Sequence, residues 1–171
     1  MTPSRAITLL AGAAAVPLAA LAVAGCGSGG ASPATPENKK VGRPTVDAST
    51  IRLGEVLVDS KGRTLYLFKQ DKGTRTTCFG PCASAWPPLR TKGNPTAGGD
   101  AKESLVATTR RPDGPPQVTY NGHPLYLYQG DLKPGDATGQ GVDVWGGLWW
   151  AVSPSGKQVT KGGRKPAGGG Y

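Results

Sequence analysis

Apolar and polar positions alternate differently in three stretches of the chain. From Ala6 to Ala24 there is no charge, and Ala, Leu and Val dominate. From Gly27 to about Thr50 apolar residues are sparse among Gly, Ser and Pro. From Ile51 to about Val152 short apolar runs are separated by turn residues. Val56-Leu57-Val58 is followed by polar Asp59-Ser60-Lys61-Gly62 and then by Thr64-Leu65-Tyr66-Leu67-Phe68. Two β-prone runs across a short polar segment containing Gly predict a β-hairpin. The same figure returns as Gln117-Val118-Thr119-Tyr120, then Asn121-Gly122, then Pro124-Leu125-Tyr126-Leu127-Tyr128. Asn-Gly is the strongest short-range hairpin signal.

The two figures coincide at an offset of 60, which superposes Gly62 on Gly122, Leu65 on Leu125, Tyr66 on Tyr126, Phe68 on Tyr128 and Asp71 on Asp131. Two copies predict a pseudo-symmetric domain and are too few for a solenoid. Side chains alternate across a strand, so Leu65 and Leu67 point one way while Tyr66 and Phe68 point the other. Both faces are apolar, which predicts central strands covered on both sides. Each Asp falls beyond its strand. There it either accepts backbone N–H groups in an Asx-turn or accepts a Tyr hydroxyl. A ligand-binding role for these Tyr and Asp residues is the other reading. The fold class expected is mainly β: a small two-repeat domain of hairpins with one or two short helices.

Tyr66-Leu67-Phe68-Lys69-Gln70-Asp71 and Tyr126-Leu127-Tyr128-Gln129-Gly130-Asp131 both match Y-x-[FWY]-x-x-D. The chain thereby resembles the predicted bacterial lipoproteins known as secreted-repeat proteins with a Y-x4-D motif. The likeness extends over roughly residues 53–155 and takes in Trp86-Pro87-Pro88-Leu89, Gln117 to Tyr120 and Trp149-Trp150. It implies an exported protein, often lipidated, with paired repeats and no assigned biochemical task.

The N-terminus agrees with export. Met1 to Arg5 is a short basic start, and the uncharged run that follows ends in small residues, the layout of a signal peptide. Leu21-Ala22-Val23-Ala24-Gly25-Cys26 resembles the bacterial lipobox, whose cysteine is acylated after cleavage; Val23 stands where Leu is commoner. The expected organisation is a signal peptide at 1–25, a lipid-anchored linker at 26–50, a β domain at 51–155 with repeats at about 53–90 and 115–155, and a basic Gly-rich tail at 156–171. Linker and tail are both expected to be disordered.

Composition and charge refine this picture. Gly 27 and Pro 16 fit linker, turns and tail, while a hydrophobic content of 37% points to a small core helped by four Trp and five Tyr. The formal charge is +9, and only Arg5 lies in the first 25 residues, so +8 remains beyond them. For an exported chain the matching anions are lipid headgroups and envelope polymers, and nucleic acid is not an expected partner. Another envelope protein is the further candidate.

With Cys26 assigned to lipid, Cys78 and Cys82 remain as a pair, and in an oxidising compartment they read as a disulfide. Pro81 is placed to open a short helix over 81–86. A redox-active pair is the sharper alternative, although the spacing is not C-x-x-C. His123 is expected as a solvated turn residue. The segments at Trp86 and at Trp145-Gly146-Gly147-Leu148-Trp149-Trp150 are expected to close the core in equivalent ways. No nucleophile elbow, phosphate-binding loop or His pair appears, and neither a cofactor nor a metal is expected. The expectation is therefore a non-enzymatic binding or structural lipoprotein on the extracytoplasmic face of the cell membrane. An accessory electron-transfer lipoprotein and, last, a cell-wall-acting enzyme are the alternatives.

Overall fold

A computed structural model describes residues 45–163. The signal peptide at 1–25, the lipidation residue Cys26, most of the linker and the tail beyond 163 lie outside the described residues.

The chain begins its described part with strand β1 (Val46–Ile51) and β2 (Gly54–Asp59), an antiparallel pair in which Val46 faces Asp59 and Ile51 faces Gly54. β3 (Tyr66–Phe68) carries the first motif, and α1 (Pro81–Ala85) has Pro81 in its first turn. A 3-10 turn (Glu103–Leu105) leads into β4 (Val106–Arg111), β5 (Gly114–Tyr120) and β6 (His123–Pro124), and the chain continues through β7 (Asp143–Val144) and β8 (Gly147–Ala151). The architecture is mostly β, with three small antiparallel sheets in the orders β1-β2, β3-β8-β7 and β4-β5-β6.

The second hairpin forms where the pattern places it. Tyr120 pairs with His123 across Asn121 and Gly122, whose φ values of 48° and 79° give the I′ turn that suits the twist of flanking strands. In the first copy Val58 bridges Thr64, and the Asp59 carboxylate holds the turn by accepting from the Lys61 and Arg63 amides.

Two boundaries move outward. β1 lies partly within residues 26–50, expected as linker, and β4 precedes the copy expected to begin at 115. Both are edge strands of polar, β-branched composition. Each satisfies its backbone on a hairpin partner rather than by burying a face, so neither shows a strong apolar alternation. With them included the two copies begin at Val46 and Val106, still 60 apart. The expected tail at 156–171 also starts too early. Gln158 bridges Val152, the Val159 amide donates to the Ala151 carbonyl at 2.8 Å, and buried Gln140 donates to the carbonyls of Val159 and Lys161.

The motif strands are central, as their two apolar faces predict. Tyr66 and Tyr126 exchange both backbone hydrogen bonds, at 2.8 and 2.9 Å, so the two copies meet antiparallel at equivalent residues. Outside them Tyr66 pairs with Ala151 and Tyr126 with Pro88. One face carries Tyr66, Phe68, Trp86, Tyr126 and Trp149; the other carries Leu57, Leu65, Leu67, Val118, Leu125 and Leu127. Each fully buried Leu or Val contributes about 1.5–3 kcal/mol, so the aliphatic layer is a large share of the stability.

Candidate functional site

The two Y-x-[FWY]-x-x-D motifs meet at the pseudo-twofold axis, and each completes the other. Tyr66 donates its hydroxyl to Asp131 Oδ2 at 2.6 Å, and Tyr126 donates to Asp71 Oδ2 at 2.8 Å. The tyrosine of each repeat is thus bound by the carboxylate of its partner repeat. The second oxygen of each Asp ties down its own following loop. Asp71 Oδ1 accepts from the amide and hydroxyl of Thr77 at 2.8 and 3.0 Å, and Asp131 Oδ1 accepts from those of Thr138 at 2.8 and 2.7 Å. The Tyr-hydroxyl acceptor forms, and each Asp also accepts a backbone amide, but from six or seven residues on, so it closes a longer loop than the Asx-turn expected. The tyrosine involved is the other copy's, a pairing that local sequence pattern does not encode.

The electrostatics follow from burial. Burial first, and then the hydrogen bond to Asp131, pushes the Tyr66 hydroxyl well above the usual phenol range. Tyr126 moves the same way, through burial and then the charge of Asp71. Both phenols therefore stay protonated and act as donors. Burial also raises Asp71 above the ordinary carboxylate value, against the lowering effect of its bonds from Thr77 and Tyr126.

Aromatic rings fill the space around the axis in a matched order. Trp86 and Trp149 stack at 4.0 Å, Phe68 stacks on Trp149 at 4.0 Å, and Tyr128 stacks on Trp86 at 4.3 Å. Tyr66 meets Trp86 edge-on at 5.4 Å, and Tyr126 meets Trp149 edge-on at 5.1 Å. Offset stacks and edge-to-face pairs are the favoured ring geometries, each adding about 0.5–1.5 kcal/mol beyond burial. The third motif position is aromatic because it caps this stack. Trp86 and Trp149 close the core equivalently, as expected, but Trp145 does not join them and is 51% exposed. It sits at the tip of the β7–β8 hairpin, whose Val144–Gly147 pair leaves Trp145 and Gly146 as the loop.

Cys78 and Cys82 form a disulfide, with Cα atoms 5.3 Å apart. The bridge clasps the loop before α1: only Cys82 lies in the helix, and the chain brings Cys78 within reach by turning at Gly80, whose φ is 53°, rather than through the helical turn expected. His123 is half-buried rather than solvated. Desolvation, helped by Lys69 and opposed by Asp71, holds its pKa below the ordinary imidazole value.

One structural residue carried no sequence signal. Arg111 has a fully buried side chain whose guanidinium donates to Asp113 at both oxygens, and also to Gln117 Oε1, Thr76 Oγ1 and the Cys78 carbonyl, all within 2.8–3.0 Å. These contacts use all five of its N–H donors. Within Arg-Arg-Pro-Asp-Gly it reads as an exposed turn residue. Only the fold shows that it reaches into the opposite repeat.

Among the described residues no helix is long and apolar enough to cross a membrane. No group of three or more His, Cys, Asp or Glu side chains is placed to hold a metal ion among those residues. A family model described as a secreted repeat of unknown function matches residues 48–90 and 107–153, more than half of the chain and one match per copy. No curated protein and no solved structure matches the chain.

Proposed function

The chain belongs to the family of secreted repeats of unknown function, and we propose that it is an exported lipoprotein, anchored through acylated Cys26, whose two-repeat domain binds or builds envelope material without catalysing a reaction. The observation that carries the non-enzymatic reading is the reciprocal Tyr66–Asp131 and Tyr126–Asp71 pairing. The motif residues with most chemical potential are bound to one another, with both tyrosines and Asp131 buried and Asp71 partly so. Their phenols are held protonated, and each carboxylate is shared between a hydroxyl and a loop amide.

The anchor rests on Leu21 to Cys26 at the end of an uncharged run. Acylation contributes about 0.8 kcal/mol per buried CH₂, and stable attachment needs two chains, which a diacylglyceryl cysteine supplies. On the extracytoplasmic face of the cell membrane, the positive charge of the chain would meet anionic envelope polymers or another envelope protein. The accessory redox reading rests on the Cys78–Cys82 bridge. A bridge that resists mild reductant in thiol titration would sink it.

The test is metabolic labelling with an alkyne palmitate analogue in a bacterial host, comparing the chain with Cys26→Ser. Label and membrane retention are expected in the former and lost in the latter. Retention unchanged by Cys26→Ser would overturn the anchor.

A further inference from the structure

The I′ turn at Asn121-Gly122 and the turn at Trp145-Gly146 have the same backbone. Trp145 has φ 60° and Gly146 φ 84°, against 48° and 79° in the first turn. Asn suits the first position of such a turn, because its short polar side chain tolerates the left-handed region. A bulky residue there is an outlier. Backbone strain of this kind costs about 1–3 kcal/mol and gathers at binding sites, where a side chain must be held in one place. The Trp145 ring is half out in solvent, so core burial is not what holds it at this turn.

The turn stands at one wall of an open groove of about 520 Å³, lined also by Phe79, Gln70, Lys72 and Thr77. Phe79 is 39% exposed, and its ring is fixed from behind by the Arg111 guanidinium at 4.7 Å from the centroid. The Gln70 amide bonds the Gly146 carbonyl and so ties the Trp145 turn to the first motif. Lys72 is fixed by a tight turn, exchanging backbone bonds with Arg75 at 3.0 and 3.1 Å. Lys72 is the one ionised side chain lining the groove; the Asp71 carboxylate stands behind Thr77, whose amide and hydroxyl donate to it.

We infer that this groove binds a segment of carboxylated polysaccharide, with sugar rings laid on Trp145 and Phe79 and an acidic group paired with Lys72. This deepens the binding reading above and rests on export, which puts the domain among such polymers. Two half-exposed aromatic faces offer flat apolar platforms, and the amide, hydroxyl and ammonium between them supply polar contacts. An open groove passes a polymer where a closed pocket would take a small molecule. The Lys72 ammonium, on a chain that keeps +8 beyond residue 25, favours an anionic ligand, while the Asp71 carboxylate is engaged by Thr77. One wall is the β7–β8 hairpin and the other the disulfide-clasped loop before α1, and two-residue β7 is too short to accept an added peptide strand.

The experiment is a calorimetric titration of the full chain with an oligogalacturonate hexamer, its methyl ester and a hexaglutamate peptide. Binding is expected for the acidic sugar, at least tenfold weaker for the ester and for the peptide. Trp145→Asn should weaken sugar binding tenfold or more while leaving the melting temperature level or higher, because Asn-Gly relaxes the turn. Lys72→Glu should abolish it, and Lys157→Glu should leave it unchanged. Absence of sugar binding, equal binding of the peptide, or full affinity in a folded Trp145→Asn chain would overturn the inference. None of these readouts depends on Cys26, so failure here is distinct from failure of the anchor.

Discussion

The first repeat reaches its core tryptophan, Trp86, through a disulfide-clasped loop and one turn of helix. The second reaches Trp149 through the β7–β8 hairpin. From that tryptophan inward the two are alike: the ring stack, the edge-on tyrosine and the cross-repeat carboxylate all recur. Outward of it they diverge. One copy places buried Arg111 where the other has Ile51, and only the second places an aromatic ring at a strained hairpin tip. The matched parts are interior and explain the fold. The unmatched parts lie at the surface or hold surface loops, and there the copies are free to acquire separate tasks.

The comparison is broken most directly at the centre. Trp86→Ala and Trp149→Ala should each destabilise by about 3–5 kcal/mol in urea unfolding, because both empty the same stack. A large inequality between them would contradict an evenly shared core. Arg111→Met should cost about 3–5 kcal/mol, since it leaves Gln117 Oε1 and the Cys78 carbonyl without their charged donor. Its nearest counterpart, Arg52→Met, removes one part-buried bond to the Ala137 carbonyl and should cost about 1–2 kcal/mol. Reducing Cys78–Cys82 should cost about 2 kcal/mol, the entropy of closing so short a loop. The second repeat carries no cysteine, and a loss above about 4 kcal/mol on reduction would contradict a loop-closure origin.

The smallest effect is in the acid limb. Two bonds from Arg111, with Arg90 nearby, lower the Asp113 carboxyl from 3.8 to about 2. Its contribution is therefore present above pH 3.8 and lost as pH falls toward about 2. Asp71 runs oppositely. Its raised pKa makes its contribution full at acid pH and lost as pH rises through the raised value. Asp113→Asn should accordingly flatten the loss of melting temperature on acidification below pH 4, roughly where free carboxylates titrate.

Much of this molecule was legible before its fold. The offset of 60 exposes the repeat, the Leu and Tyr alternation exposes central strands, and the i, i+4 cysteines and Pro81 expose the bridge and helix turn. What escaped depends on contacts between copies. Local pattern places an Asp near a Tyr without saying which repeat's Tyr it serves. β1 and β4 are stabilised by hairpin pairing, so they carry little apolar periodicity. Trp145 differs from Trp149 only in the left-handed turn beneath it, and turn geometry of that kind is a tertiary outcome.

Double-mutant cycles test the reciprocal wiring of the repeats. Tyr66→Phe should couple to Asp131→Asn by about 0.5–3 kcal/mol, and Tyr126→Phe to Asp71→Asn by a similar amount. The within-repeat cycles, Tyr66→Phe with Asp71→Asn and Tyr126→Phe with Asp131→Asn, should be additive to within about 0.5 kcal/mol. Coupling within repeats and additivity between them would contradict the account.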